Sequence, residues 1–235
     1  MTLDLNIDLG ELPDEPEELY ALASVVNVAC GGHAGDRGSM ERAMSLAAAS
    51  GARVAAHPSY PDREGFGRVS QALPAGVLRE VVNVQCAALQ ALAEARGERV
   101  RCLKLHGALY GDAARDVALA RAVLDGAIDG LGGALETVVG PPWGVLADEA
   151  RARGLGYARE GFADRGYDAE GKLLPRGTPG ALLVDAGDAA AQAVRLAEAG
   201  GVETLCVHGD TPGAVAIARQ VREALVARGW MEARR

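Results

Sequence analysis

The chain repeats one unit from end to end: a short β-branched run, a polar or glycine-rich turn, then an alanine-rich helical stretch. Strand candidates fall at 3–7 (LDLNI), 24–29 (SVVNVA), 53–57 (RVAAH), 100–106 (VRCLKLH), 136–139 (ETVV), 155–160 (LGYARE) and 203–208 (ETLCVH). Alternation of this kind demands parallel strands with helices outside, because a parallel neighbour is reached only through a crossover. Seven such strands can close as a barrel or stay open as a doubly wound sheet, and the pattern alone permits both. Residues 74–96 open on Pro74, stop before Gly97 and repeat Val77, Val81, Val84, Ala88 and Ala91 at helical spacing. The last helix is expected to open with Thr211 as N-cap and Pro212 at its first position, with Ile217, Ala218, Val221 and Leu225 on one face. No linker or low-complexity stretch divides the chain, so one domain over 1–235 is expected.

Composition narrows the partners. With 49 % hydrophobic residues, 24 % charged residues and a net charge of −8, the chain matches soluble proteins and lacks the basic run that nucleic acid or an anionic membrane would require. No run of about 18 apolar residues is present, and the N-terminal MTLDLNIDLGE carries charge at once, so neither a membrane span nor a signal peptide is expected. Cys30, Cys86, Cys102 and Cys206 form no C-x-x-C pair, which points to free thiols in a reducing cytoplasm.

The polar residues gather where such folds bind ligands. His57, His106 and His208 each end an expected strand, and His33 follows another by a few residues. The C-terminal ends of parallel strands form the ligand face. One strand-end histidine is commonly structural, but all four on one rim are hard to explain by packing. Asn6 and Asp8 share a face of the first strand, and Lys104 and His106 a face of the fourth. A lysine there points into the core and needs a partner, for which Asp8 and Glu11 are available. The loop CGGHAGD (30–36) sets Cys30, His33 and Asp36 among glycines, where a metal site, an anion cradle or a close-packed corner would each fit. The segments 57–68 and 161–180 are long enough to be binding loops or lids. The second carries Asp164, Arg165, Tyr167 and Arg176, and its arginines can grip a carboxylate or phosphate. In VHGDTPGAV (207–215), Asp210 and Thr211 precede a helix start whose free N–H groups can receive an anion. No G-x-x-x-x-G-K-[ST] loop, G-x-G-x-x-G or G-x-S-x-G motif occurs.

Six blocks taken in order, DLNIDLGE (4–11), NVACGGHAGD (27–36), AHPSYPDREGFGR (56–68), KLHGALY (104–110), EGFADRGYDAEGKLLPR (160–176) and VHGDTPGAV (207–215), resemble the LamB/YcsF family of 5-oxoprolinase A subunits. The resemblance implies a seven-stranded parallel (β/α) barrel of the glycoside hydrolase/deacetylase type. It also implies ATP-dependent opening of 5-oxo-L-proline (pyroglutamate) to L-glutamate, with ATP as cosubstrate and subunits B and C as partners. Asn6, Asp8, Glu11, His33, Asp36, His57, Lys104, His106, Tyr110, Asp164, Arg165, Arg176, His208 and Asp210 match the family pattern. Asp8 is the leading general base or metal ligand. Lys104 is the candidate for charge stabilisation, and Glu11 and His106 belong with these two in the catalytic set. His33 and His57, with His106, are acid–base groups or ligands, Arg165 or Arg176 anion clamps, and Asn6, Asp36, Tyr110, Asp164, His208 and Asp210 substrate contacts. A divalent metal on Asp8, His33 and His57 is one option and a metal-free hydrogen-bonded network another. The chain departs from the family at Gly32, where phenylalanine is usual, and at Arg37 and Leu105, where proline is usual. The Gly32 change predicts a more open pocket. Two other activities remain in competition: a stand-alone metal-dependent amidohydrolase or deacetylase, and a noncatalytic 5-oxoproline-binding subunit.

Overall fold

The computed structural model of the chain describes residues 2–232. Seven strands, β1 (Asp4–Leu9), β2 (Val25–Ala29), β3 (Arg53–His57), β4 (Cys102–Lys104), β5 (Thr137–Gly140), β6 (Gly156–Phe162) and β7 (Thr204–His208), pair in chain order, all parallel. β7 returns to β1, so the sheet closes as a barrel. Closure settles the choice that alternation left open.

Helices α1 (Glu18–Leu22), α2 (Arg37–Ser50), α3 (Ala75–Glu94), α4 (Gly107–Arg115), α5 (Val117–Gly130), α6 (Leu146–Ala152), α7 (Ala186–Ala199) and α8 (Ala214–Ala227) connect the strands. The outward sides of the strands, including Leu5, Ile7, Val26, Val28, Leu103 and Val207, are fully buried beneath them. Ile217, Ala218, Val221 and Leu225 form the inner face of α8, as their spacing predicts. No helix among the described residues is long and apolar enough to cross a membrane.

Three local expectations are corrected. On α3 the buried face is Leu78, Val82, Cys86, Leu89 and Ala93, while Val77 and Val84 are exposed. Two adjacent apolar stripes satisfy the helical period there, and the stripe with leucines is buried because it removes more area from water. α8 begins at Ala214 with Gly213 as its cap, in the left-handed region at φ 80°. Thr211 instead donates its hydroxyl to Asp164 Oδ2 at 2.6 Å. β4 spans three residues, so His106 lies beyond it, at the cap position of α4.

The loop after β2 is held tightly. Gly35 has φ 83°, and a Cβ on it would lie 2.5 Å from the Ala29 carbonyl oxygen. Gly51, the C-cap of α2, has a similar φ of 67° but open space around it. Gly51→Ala is expected to cost about 1 kcal/mol from its left-handed backbone alone. Gly35→Ala adds a backbone clash and is expected to cost about 3 kcal/mol or more. Urea unfolding of the two variants checks this; equal losses would contradict it.

Candidate active site

The barrel interior is polar, which is unusual for a position normally filled by branched apolar side chains. Lys104 enters it from β4 and is 1 % exposed. Its Nζ lies 2.8 Å from Asp8 Oδ1, 2.9 Å from Glu160 Oε1 and 3.0 Å from Asn6 Oδ1. Asn27 donates to Asn6 Oδ1 and Asp8 Oδ1, both at 2.7 Å, and Asn6 donates to Glu160 Oε1 at 2.9 Å and Thr204 Oγ1 at 2.8 Å. Five strands thus contribute to one network. The expected Lys104–Asp8 pair forms, but the second carboxylate is Glu160 and not Glu11. Burial works against both charges of the pair, and their attraction prevails. The Lys104 ammonium is held well above its ordinary value by the Asp8 charge, and Asp8 well below the carboxylate range by His57 and Lys104.

Above this network a cavity of about 470 Å³ opens at the strand ends. Asp8, Lys104, His57, His106 and His208 belong to its polar lining, Tyr110, Phe162, Leu173 and Pro175 to its apolar lining, and Arg68, Arg165 and Arg176 form a cationic wall. With Oδ1 of Asp8 taken by Lys104 and Asn27, Oδ2 is left near His57 Nε2 (3.4 Å) and His208 Nε2 (3.9 Å). His208 is oriented from behind: its Nδ1 is 2.9 Å from Asp164 Oδ1, and its ring stacks on Phe162 with centroids 5.4 Å apart. Asp164 also accepts from the His208 amide and the Thr211 hydroxyl. Burial pushes the Asp164 carboxyl up, but the His208 charge and these hydrogen bonds bring it below its ordinary value.

The arginines crowd one another. Arg165 spends Nε on Ala181 O and Nη2 on Leu174 O, which holds the 161–180 segment folded back on itself, with Tyr167 bridging to Leu173. Burial and the Arg176 charge lower its guanidinium below the usual value. Arg68 and Arg176 share one carboxylate, Asp210, which Arg68 contacts directly and Arg176 approaches at 3.7 Å. Three cations facing a cavity with one shared carboxylate suit an anionic ligand.

A second cluster adjoins the first. His33 Nε2 is 2.9 Å from Glu11 Oε1, His106 Nδ1 is 3.2 Å from the same oxygen, and His57 Nε2 is 3.8 Å from it. The His33 and His106 rings stack at 3.5 Å, 3° from parallel. Glu15 braces the Glu11 turn, accepting from the Gly10 amide at 2.8 Å and the Tyr20 hydroxyl at 2.6 Å. Gly67, at φ 64°, has no room for a Cβ, which would stand 2.9 Å from His33 Cβ.

Of the residues expected at the site, Asp36 is not brought there. It is exposed and caps α2, accepting from the Ser39 amide at 2.8 Å while the Ser39 hydroxyl answers its own amide. A carboxylate three residues before a serine on a helix start satisfies the free N–H groups, and that local demand explains the position. Nor does the grouping Asp8–His33–His57 form as such: the histidines converge on Glu11. Tyr110 reaches the cavity, and burial together with the Glu160 charge holds its hydroxyl protonated. Gly32 faces away from the cavity, toward Gln85 and Ser59, whose side chains leave no room for a Cβ, so its lack of a side chain does not widen the pocket. It lines instead a shallow apolar groove with Val77, Val81 and Val84. Glu160, Asn27, Arg68 and Phe162 went unflagged in the sequence. The reasoning that singles out Lys104 would also have found Asn27, a lone polar residue inside its strand, whereas Glu160 follows another charged residue, Arg159, and is not set apart in this way.

Fold and site together define a closed (β/α) barrel with a buried acid–lysine–histidine centre at its strand ends. The catalytic domain of a peptidoglycan N-acetylglucosamine deacetylase from Eubacterium rectale shares the architecture, with a TM-score of 0.55, 12 % identity and coverage of 98 % of this chain and 86 % of that one, which is a likeness of fold. The chain belongs to the LamB/YcsF family, whose model matches residues 3–234. It is 44 % identical over 245 residues to the 5-oxoprolinase A subunit of Methylococcus capsulatus, covering 97 % of this chain and 94 % of that one. It is also similar to the crystal structure of a lactam utilization protein from Thermus thermophilus, with a TM-score of 0.87, 39 % identity and coverage of 100 % and 99 %.

Two outcomes follow for stability. Lys104→Met leaves Asp8 and Glu160 uncompensated and is expected to cost about 3–5 kcal/mol in urea unfolding at neutral pH. Asp164, with its folded value depressed, contributes stability that is complete above its unfolded value near 3.8 and drains as pH falls through the folded one. The stability gap between the unmodified chain and Asp164→Asn should therefore narrow between about pH 5 and pH 3. A constant gap would contradict this account.

Proposed function

We propose that this chain is the A component of an ATP-dependent 5-oxoprolinase, opening 5-oxo-L-proline to L-glutamate in the cytoplasm together with subunits B and C. The observation that carries the reading is one small cavity combining an ionised carboxylate, a carboxylate-oriented histidine and three arginines. Its volume suits a small molecule, and the names of the Methylococcus and Thermus proteins point to a cyclic amide.

A lactam is a resonance-stabilised, poor electrophile, so coupling to ATP makes chemical sense. The lactam oxygen takes the terminal phosphoryl group, ADP leaves, and the ring carbon becomes an activated imidate. A water loses its proton to a base and adds to that carbon. The ring C–N bond then breaks, the nitrogen takes up a proton, and the γ-acyl phosphate of glutamate results. A second water cleaves it to L-glutamate and phosphate. The base in this scheme is His208, whose Nε2 faces the cavity while Asp164 holds Nδ1. Asp8, held well below the carboxylate range, is a weak proton acceptor; its role is to orient water and stabilise the protonated histidine. The arginine wall receives the substrate carboxylate and the phosphoryl group, and Phe162 and Leu173 cover the ring.

The histidine–Glu11 cluster favours one other reading, a metal-dependent amidohydrolase working without ATP or partners. Glutamate release from 5-oxoproline, with and without ATP and subunits B and C, separates the two. Release should require all of them; turnover by this chain alone without ATP would sink the proposal. In the complete complex, Asp8→Asn and His208→Asn should each lower kcat by about 10²–10⁴-fold. Arg176→Ala should raise KM by about tenfold or more and spare kcat.

A further inference from the structure

Two histidines of the second cluster face each other with nitrogens that cannot hydrogen-bond as neutral rings. His57 Nδ1 lies 2.9 Å from the Lys104 carbonyl oxygen, and His106 Nε2 lies 3.0 Å from the Phe66 carbonyl oxygen. A carbonyl only accepts, so each of these nitrogens carries its hydrogen. The other nitrogen of each neutral ring then presents a lone pair. Those two lone pairs, on His57 Nε2 and His106 Nδ1, stand 3.0 Å apart. Glu11 Oε1 adds a third electron pair 3.2 Å from His106 Nδ1, and His33 Nε2 reaches the same oxygen at 2.9 Å. These four atoms lie within 4.8 Å of one another, and the side chains are at most 5 % exposed. Converging acceptors in a buried setting repel unless a cation lies among them, either a proton on His57 Nε2, which the Asp8 charge favours, or a metal ion.

We propose that Glu11, His57 and His106 bind a divalent transition-metal ion of the zinc type, with His33, whose ring lies parallel to that of His106 and cannot share an ion with it, hydrogen-bonded to Glu11 beside them. Two imidazoles and one carboxylate are a zinc-class donor set, whereas magnesium and calcium take oxygen ligands. Tetrahedral zinc with bonds of about 2.0–2.1 Å sets its ligand atoms about 3.3–3.4 Å apart. The three mutual distances of 3.0, 3.2 and 3.8 Å bracket that value. Metal-bound histidines usually donate their second N–H to a carbonyl or carboxylate, as His57 and His106 do here. One of those carbonyls is aimed at a cost: Phe66 has φ 54°, the one non-glycine residue in the left-handed region among the described residues. Asp8 is not a ligand in this assignment: Lys104 and Asn27 occupy its Oδ1, and it falls outside the group of atoms that converge with Glu11. The neighbouring group Asp8, Cys206 and His208 is excluded for a related reason: Lys104 Nζ already sits on Asp8 and Cys206.

The inference goes beyond the proposed activity and is tested without substrate or partners. Chain purified without an affinity tag is stripped with a chelator, then titrated with Co²⁺ and competed with Zn²⁺, reading ligand-field absorption and metal content. One equivalent is expected to bind, and Zn²⁺ to raise the thermal midpoint. Glu11→Gln and His106→Gln should each weaken binding by about 100-fold or more, while Asp8→Asn keeps the one-to-one stoichiometry. No uptake, uptake unchanged in the Glu11 and His106 variants, or loss confined to Asp8→Asn would each overturn the site. Should the variants fail to fold, ¹⁵N spectra of the imidazoles in the unmodified chain still decide. Zn²⁺ should shift His57 Nε2 and His106 Nδ1 together, and a proton persisting between them in the presence of Zn²⁺ refutes the proposal.

Discussion

A lysine ammonium inside a parallel barrel is the constraint on which the rest of this structure turns. Stripping an ammonium of water costs several kcal/mol even after relaxation, so Lys104 can stay charged only with its carboxylates held in place. Asp8 supplies one from β1 at 2.8 Å and Glu160 the other from β6 at 2.9 Å. Asn6 and Asn27 fix the carboxylate oxygens with their amide groups. The closure of the barrel and the charge state of its centre are therefore one arrangement: a shift in register between β1 and β7 would separate Asn6 from Glu160 and Thr204.

That arrangement also divides labour at the strand ends. Asp8 spends one oxygen on the interior and leaves the other to the cavity, between two histidines of different character. His208 is backed by a carboxylate, His57 by a carbonyl. Each partner fixes the tautomer and the ring orientation of the histidine in front of it. The proposed chemistry and the proposed ion thus have separate homes a few ångströms apart.

Much of this was legible in the sequence. The seven strands follow from period and turn chemistry, and the rim of histidines from where parallel strands end. Closure was not legible, because it depends on the summed twist and stagger of all strands. Lys104 was flagged by its parity in the strand, but its second partner was not. Glu160 lies at the end of an expected strand that in fact runs to Phe162, and Glu11 is nearer in the chain to Asp8. Asp36 shows the opposite error. Near a histidine in a glycine-rich loop it has the look of chemistry, yet its contacts are those of a helix cap. The Asp8, Glu11 and Asp36 carboxylates cannot be told apart by residue type; only the direction each side chain takes from its backbone separates them.

The strained turn at Phe66 joins parts of the molecule that otherwise have separate tasks. Its carbonyl holds His106 at the floor, the next residue's carbonyl accepts from Ala108 at the start of α4, and Arg68, one residue further, stands at the arginine wall over the Phe66 ring. Three consecutive residues thus link the charge that meets an incoming anion to the ring that faces Glu11. The backbone that aims His106 is the same backbone that presents Arg68, so the position of the one constrains the position of the other.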